Sequence, residues 1–338
     1  MAVMETRVPV LWISGPPGAG KSTVSWQLFT DLAQAGTHVA FADTDQFCIC
    51  YPAPPGDQDR EVIRVRNAGA LVPRFRAAGA QCVIANGVLG PVRDLLAELM
   101  PQAEVTICRL GADRGELVRE RCRDWPGFSG SLSPPGREAG RDDGADRDFA
   151  ADSADGEILL ICGPAGVGKS TIGFQLYRRY LHNGRTAGYV DLDQIGFIRP
   201  GPDDDPGRHR LKAGNLAAMR QTYHAAGARH LIATGPIESD EALRTYARAL
   251  PAARVTAVRL HAGRAELTRR IMTRGAGGSW PQPGDPLRGQ PREKLLLVAD
   301  RAAAEARALD RVAAGMVRID TDGLSVAAAV DAIAAVVG

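Results

Sequence analysis

Short apolar runs alternate with helical patterns along both halves of the chain. In the second half the runs at 158–162, 187–192, 230–233, 255–260 and 316–319 predict five buried strands. Helical periodicity fills the segments between them, including an amphipathic stretch at 292–314 and an Ala/Val-rich stretch at the end. This alternation predicts an α/β fold with a parallel sheet and helices on both of its faces.

The chain also repeats itself at an offset of 148 residues. Residues 15–23, GPPGAGKST, return as residues 163–171, GPAGVGKST. At the same offset the pattern D-x-D at residues 43–45 returns at 191–193, and Asn67 corresponds to Asn215. So long a period is unlike that of stacking repeats, and it predicts one domain present twice in tandem.

The two copies differ in length. Beyond residue 125 the first copy continues in Gly, Pro, Ser, Asp and Arg, a composition typical of a flexible linker. It has no counterpart of the tail that follows residue 274 in the second copy. We therefore predict a short domain at 1–125 that lacks a fifth strand, a linker at 126–156, and a complete domain at 157–338.

Both repeated segments match the phosphate-loop pattern G-x-x-x-x-G-K-[ST], between an apolar run and a helical one. Glycines let the backbone N–H groups turn toward a phosphate, and the helix N-terminus adds its positive dipole. Lys21 or Lys169 would supply a point charge to the β- and γ-phosphates, and Ser22 or Ser170 a hydroxyl to Mg²⁺. The chain has only four lysines, so a lysine kept in each loop indicates a role that arginine cannot fill. The predicted nucleotide-binding residues are Gly15, Pro17, Gly18, Ala19, Gly20, Lys21, Ser22 and Thr23, and Gly163, Ala165, Gly166, Val167, Gly168, Lys169, Ser170 and Thr171.

Two other classes of phosphate-loop protein fit the sequence less well. The guanine-reading motif N-K-x-D of GTPases is absent. The third strands end in Asn86-Gly87 and Thr234-Gly235, without the metal-binding acid of motor-type ATPases. Asp43 and Asp191, just past the second strands, can replace that acid, because the carboxyl ends of neighbouring strands lie beside the loop.

A phosphate loop followed about 20 residues later by a strand ending in D-x-D resembles the small-molecule P-loop kinases. These include shikimate and gluconate kinases, adenylylsulfate kinase and chloramphenicol phosphotransferase. The resemblance implies a nucleoside-monophosphate-kinase-like fold in both copies. It also implies that Asp191 orients Mg²⁺ or accepts the proton of the acceptor hydroxyl, and that Asp193 contacts the acceptor. Asp43 and Asp45 hold the matching positions in the first copy, and the predicted metal ligands are Ser170, Asp191, Ser22 and Asp43.

Five further positions are candidates with two interpretations each. Asn67 and Asn215 either contact the acceptor or cap a helix. Arg270 and Arg274, four residues apart on one helix face, resemble the lid arginines of these kinases or form a solvated basic face. Asp320 begins a loop that resembles the one beside the adenine, or it starts an ordinary turn. The first copy has no arginines in register with the lid pair.

Charge and cysteine content bear on which classes of partner and which compartment the sequence favours. Lys+Arg is 41 and Asp+Glu is 39, which does not favour a nucleic-acid partner, and no apolar run has membrane-spanning length. Cys82, Cys108 and Cys162 lie in apolar runs, so we predict buried, reduced thiols and a cytoplasmic protein. The expected ligands are ATP, Mg²⁺ and a small-molecule acceptor, and pairing of the two halves within the chain stays open.

The function predicted from these patterns is transfer of the γ-phosphoryl group of Mg-ATP to a hydroxyl of a metabolite. The catalytic candidates are Lys169, Asp191, Arg270, Arg274, Lys21 and Asp43, with the second copy as the main catalytic unit. A nucleotide-binding regulator or switch is the alternative, and it would suit a short first copy. A nucleic-acid end kinase is a third reading, which the near-neutral charge does not favour.

Overall fold

Each half of the chain forms its own parallel sheet. The computed structural model describes residues 7–111, 156–251, 253–278, 285–312 and 315–337. The predicted domain boundary at residue 125 and the linker, apart from Gly156, lie outside these residues.

The strands and helices follow the predicted alternation. The first half contains β1 (Val8–Ser14), α1 (Lys21–Gln34), β2 (Val39–Asp43), β3 (Cys50–Tyr51), α2 (Glu61–Ala77), β4 (Cys82–Asn86), α3 (Leu96–Leu99) and β5 (Ala103–Arg109), with 3-10 helices at Thr44–Phe47 and Pro91–Leu95. The second contains β6 (Glu157–Cys162), α4 (Lys169–His182), β7 (Ala187–Asp191), β8 (Ile198–Arg199), α5 (His209–Ala225), β9 (His230–Thr234), α6 (Asp240–Ala249), β10 (Arg254–His261), α7 (Arg264–Gly275), α8 (Arg292–Val312), β11 (Val317–Asp320) and α9 (Val326–Val337). All five strands predicted in the second half are present within two residues of their predicted ends.

The two halves exchange one short strand in each direction. The sheets have the orders β5-β1-β4-β2-β8 and β11-β10-β6-β9-β7-β3, so β8 completes the first sheet and β3 completes the second. Both exchanged strands pair antiparallel, whereas the other pairs are parallel. The exchange is supported by hydrogen bonds from Phe41 N to Phe197 O (3.0 Å) and from Tyr189 N to Ile49 O (2.8 Å). Each half therefore covers a sheet edge of the other.

A helical layer made from both halves fills the space between the sheets. α2 packs on α5, and one continuous core joins Leu71 and Leu216 on these helices to Trp12 on β1 and Leu160 on β6. The outer face of the first sheet packs on α1, and that of the second on α4 and α7–α9. Helices on both faces of a parallel sheet are thus confirmed, with one layer held in common.

Strand β5 forms one edge of the first sheet. Among the described residues this sheet has no counterpart of β11, so β5 is an edge strand with alternating exposure. Cys108 on β5 is exposed and Cys82 is half-buried, so the prediction of three buried thiols is wrong for these two and right for Cys162. No helix within the described ranges is long and apolar enough to cross a membrane.

Candidate active sites

The second phosphate loop lies between β6 and α4 and holds the side chain of Lys169. Gly166 and Gly168 have φ angles of 78° and 102°, the left-handed conformation that glycine adopts easily. Lys169 Nζ donates to the carbonyl oxygens of Gly163 (2.9 Å) and Pro164 (3.0 Å). The loop therefore has the backbone conformation and the cation that a polyphosphate needs.

Ser170 and Asp191 meet beside this loop. Ser170 Oγ donates to Asp191 Oδ2 at 2.9 Å, and Asp191 Oδ1 accepts from Asp193 N at 3.0 Å. Burial, together with the nearby charge of Asp193, raises the pKa of Asp191. A hydroxyl and a carboxylate at this separation fit the oxygen ligands that Mg²⁺ takes in nucleotide sites.

Asp193 pairs with a lysine that sequence reasoning did not select. Lys212 on α5 is 2% exposed, and its Nζ lies 2.9 Å from Asp193 Oδ1. Partial burial alone would raise the pKa of Asp193, but the Lys212 ammonium outweighs it and the pKa lies below its usual range. Asp193 is thus an ionised group whose position is fixed by a buried cation.

The two lid candidates have different positions. Arg270 contacts the back of the phosphate loop, donating from Nη1 to Val167 O (2.8 Å) and to Thr321 Oγ1 (3.0 Å), and from Nε to Glu266 Oε1 (2.6 Å). Arg274 instead pairs with Asp285 at 2.9 Å. The structure brings Arg270, and not Arg274, to the loop.

The loop after β11 is anchored by the residue next to the predicted one. Asp320 is exposed and pairs with Arg318 (2.8 Å) and His261 (2.7 Å). Thr321 is 1% exposed, donates to His261 O (3.0 Å), and accepts from Arg270. Thr321 therefore links this loop to the phosphate loop, through Arg270.

Asn67 and Asn215 lie inside α2 and α5, not at their starts. Both are fully buried, and their side-chain amides donate to Phe47 O (2.6 Å) and Ile195 O (2.7 Å). The interpretation of these residues as helix caps is wrong, because each stands six residues past the start of its helix. Acceptor contact by these two residues stays a prediction.

Two aspartates that lie three residues before the N-cap residues Arg60 and Arg208 cap these helices instead. Asp57 and Asp205 accept hydrogen bonds from N–H groups in the first turns of α2 and α5, at distances of 2.8–3.3 Å. They lie in the loop that leads from each D-x-D pair to its helix.

The first phosphate loop has a related arrangement with a different partner for serine. Lys21 Nζ donates to Pro16 O at 2.9 Å, and Ser22 Oγ accepts from Asn86 Nδ2 at 3.0 Å. Asp43 is 4% exposed, and its Oδ1 has no hydrogen-bond partner among the described atoms. Burial, with the charge of Asp45, raises the pKa of Asp43 to about 7. A buried oxygen without a partner fits a Mg²⁺ ligand as well, although Ser22 is held elsewhere.

Oδ1 of Asp45 lies 3.4 Å from Nε of Arg64. At the 148-residue offset Arg64 corresponds to Lys212, so both D-x-D pairs have a basic partner on the following helix. The predicted loss of lid arginines in the first copy concerns residues 116–124, which lie outside the described residues.

Known kinases share sequence with this chain. No protein-family model matches it. The adenylyl-sulfate kinase of Vibrio parahaemolyticus is 30% identical over 140 residues, which cover 37% of this chain and 67% of that enzyme. The chain belongs to the small-molecule P-loop kinase family. The adenylyl-sulfate kinase of Vibrio cholerae is 27% identical and is covered to 64%, so the match spans about two thirds of these relatives.

Solved structures align with about half of the kinase. The tunicamycin resistance protein of Deinococcus radiodurans is 21% identical, with 54% of this chain and 96% of that protein covered and a TM-score of 0.36. The APS kinase of Mycobacterium tuberculosis, solved with AMPPNP and APS, is 17% identical, with 54% and 97% covered and a TM-score of 0.33. As a member of its family the kinase uses ATP with Mg²⁺, as the two loop motifs predict.

Three residues near the sites, Lys212, Thr321 and Asn86, belong to none of the predicted motifs. Lys212 could have been selected from the sequence, because it is one of only four lysines in an arginine-rich chain. Thr321 and Asn86 carried none, because a threonine in a turn and an asparagine at a strand end have ordinary structural roles.

Proposed function

We propose that the second half catalyses transfer of the γ-phosphoryl group of ATP to a hydroxyl of a small molecule, and that it is the main catalytic unit. The observation that carries this proposal is the 2.9 Å contact between Ser170 and Asp191, next to a loop that holds Lys169. The residues that would hold Mg²⁺ are Ser170 and Asp191, and the ion would neutralise phosphate charge.

The groups around the loop support the expected chemistry. The acceptor oxygen forms a bond to the γ-phosphorus while the bond from phosphorus to the bridging oxygen of ADP breaks. The acceptor hydroxyl loses its proton, and we assign Asp191, at the end of β7 beside the loop, as the carboxylate that accepts it. Lys169 stabilises charge on the phosphates, and Arg270 keeps the loop in place through Val167.

We propose that the first half binds nucleotide and contributes little turnover. Its loop retains Lys21, and Asp43 is buried beside it, but Ser22 is hydrogen-bonded to Asn86 and not to the aspartate. The repeated loop, D-x-D pair and strand order support an origin of the two halves by duplication.

The test measures ATP consumption by the full-length kinase with and without a small-molecule extract. We expect extract-dependent ADP release together with a new phosphorylated compound. ATP hydrolysis that the extract does not change, without such a compound, would instead support a nucleotide-dependent switch.

A further inference from the structure

Both halves have a carboxylate where the loop after the third parallel strand meets the start of the helix that precedes that strand. In the second half the loop residue supplies it, and in the first half the helix residue supplies it. In the second half Glu238 follows β9, and its Oε2 lies 2.8 Å from Nε2 of His209, the first residue of α5. At the 148-residue offset these positions are Gly90, after β4, and Glu61, the first residue of α2. A side chain at Gly90 would begin 2.6 Å from a carboxylate oxygen of Glu61. A carboxylate is therefore present at this place in both halves, although each of the two positions holds a different residue in the two halves.

The point lies next to the phosphate site. β9 lies between β6 and β7 in the second sheet, so the loop after it shares an edge with the phosphate loop and with Asp191. Glu238 interacts electrostatically with Lys212, the partner of Asp193. The carboxyl group of Glu305 on α8 interacts with both Lys169 and Glu238. Glu238 therefore lies within electrostatic range of Lys212 and Glu305, beside the D-x-D pair and the phosphate loop.

His209 fixes the position of Glu238 and leaves it available to a ligand. The second ring nitrogen of His209 lies 3.3 Å from the hydroxyl of Tyr246, so both nitrogens have partners. Partial burial alone would raise the pKa of Glu238, but the hydrogen bond with His209 outweighs it and lowers the pKa, so the group is a carboxylate at neutral pH. Glu238 remains 46% exposed. An ionised, half-exposed carboxylate accepts hydrogen bonds and repels anions.

From this placement we infer that Glu238 and Glu61 are specificity-determining residues, and that the acceptor is a hydroxyl compound without an anionic group. This inference rests on the proposed function and narrows its substrate class. The carboxylate would accept hydrogen bonds from hydroxyl or ammonium groups of the acceptor. A carboxylate, sulfate or phosphate on the acceptor would be repelled by Glu238.

The first test separates acceptors by charge. A small-molecule extract is passed over an anion exchanger, and the full-length kinase with radiolabelled Mg-ATP is assayed on the flow-through and on the eluted anions. We expect the phosphorylated compound from the flow-through. A product from the anion fraction alone overturns the inference and leaves the proposed function intact. No product from either fraction overturns both.

The second test uses Glu238→Gln, which keeps shape and removes charge, with Glu241→Gln on the exposed start of α6 as the matched control. We expect Glu238→Gln to raise the KM for the flow-through acceptor about tenfold, as for loss of a hydrogen bond to a charged group, with kcat and the KM for ATP nearly unchanged. Glu241→Gln should match wild type. An unchanged acceptor KM, or equal changes in both KM values and in thermal stability, overturns the inference.

Discussion

The Ser170 hydroxyl lies 2.9 Å from a carboxylate oxygen of Asp191, which joins the first turn of α4 to the end of β7. In the first half the equivalent serine, Ser22, contacts Asn86 and leaves Asp43 buried without this bond. The two sites therefore share residue types but differ in how the hydroxyl and the carboxylate are paired. This difference motivates the assignment of catalysis to the second half.

The first prediction concerns Asp191→Asn. Asparagine has nearly the same shape, but it cannot accept the acceptor proton or carry the charge that orients Mg²⁺. We expect kcat to fall by about 100-fold or more, with ATP affinity largely kept. The measurements are kcat and nucleotide binding, and the control is Asp203→Asn in the exposed loop before α5. Turnover within about threefold of wild type would show that Asp191 has only a structural role.

The second prediction compares the two loop lysines. Both contact loop carbonyl oxygens, so each alanine variant removes the same ammonium from an equivalent position. We expect Lys169→Ala to abolish product formation and Lys21→Ala to leave a substantial fraction. The reverse ranking would contradict the assignment, and complete loss in both would indicate coupled or composite sites.

The third prediction concerns Asp193→Asn. The substitution removes the charge held by Lys212 on the acceptor side, while the phosphate loop is unchanged. We expect the acceptor KM to rise about tenfold, and more than the KM for ATP. Because Lys212 is buried, the double variant Asp193→Asn/Lys212→Met serves to separate loss of contact from the effect of an unpaired buried charge. Equal increases in the two KM values would count against acceptor contact.

The fourth prediction concerns how Glu266, which accepts hydrogen bonds from Arg269 and Arg270, makes the free energy of unfolding depend on pH. Hydrogen bonds from Arg269, and then from Arg270, lower the pKa of Glu266 from 4.5 to about 2. A carboxylate with a lowered pKa stabilises the folded state above its unfolded pKa, and this contribution is lost as pH falls from about 4.5 toward 2. Glu266→Gln should flatten the fall in unfolding free energy over that range. Wild-type and variant curves of identical slope would contradict the prediction.

The sequence predicts the regular parts of this fold well, and the reasons are visible in particular strands. The run 158–162 is apolar at every position and leads directly into a phosphate loop, so it had few alternatives to a central parallel strand. The two-residue strands β3 and β8 gave no pattern, because two residues carry no periodicity and their partners lie in the other half.

Side-chain partners were harder to predict than positions. The spacing of Arg270 and Arg274 placed both on one helix face. It could not show that Arg274 pairs with Asp285, whereas Arg270 donates hydrogen bonds to Val167 and Thr321. Likewise, His209 and Glu238 are 29 residues apart and meet only through the packing of α5 against the loop after β9.

The fifth prediction concerns a protease site inserted between residues 112 and 155. Since α2 packs on α5 and each sheet holds a strand of the other half, cleavage should leave the two fragments together. We expect a single peak in size-exclusion chromatography and one cooperative unfolding transition. Separation of the fragments under native conditions would contradict the described interface.

Because the exchanged strands belong to one chain, completion of the two sheets does not depend on the concentration of the protein. If the two sheets belonged to separate chains, their completed edges would depend on how often those chains met. Here both partners belong to one polypeptide, so each experiences the other at a fixed local concentration set by the connecting chain. Dilution should therefore leave the sheets complete, and every molecule contains the two phosphate loops in a ratio of one to one.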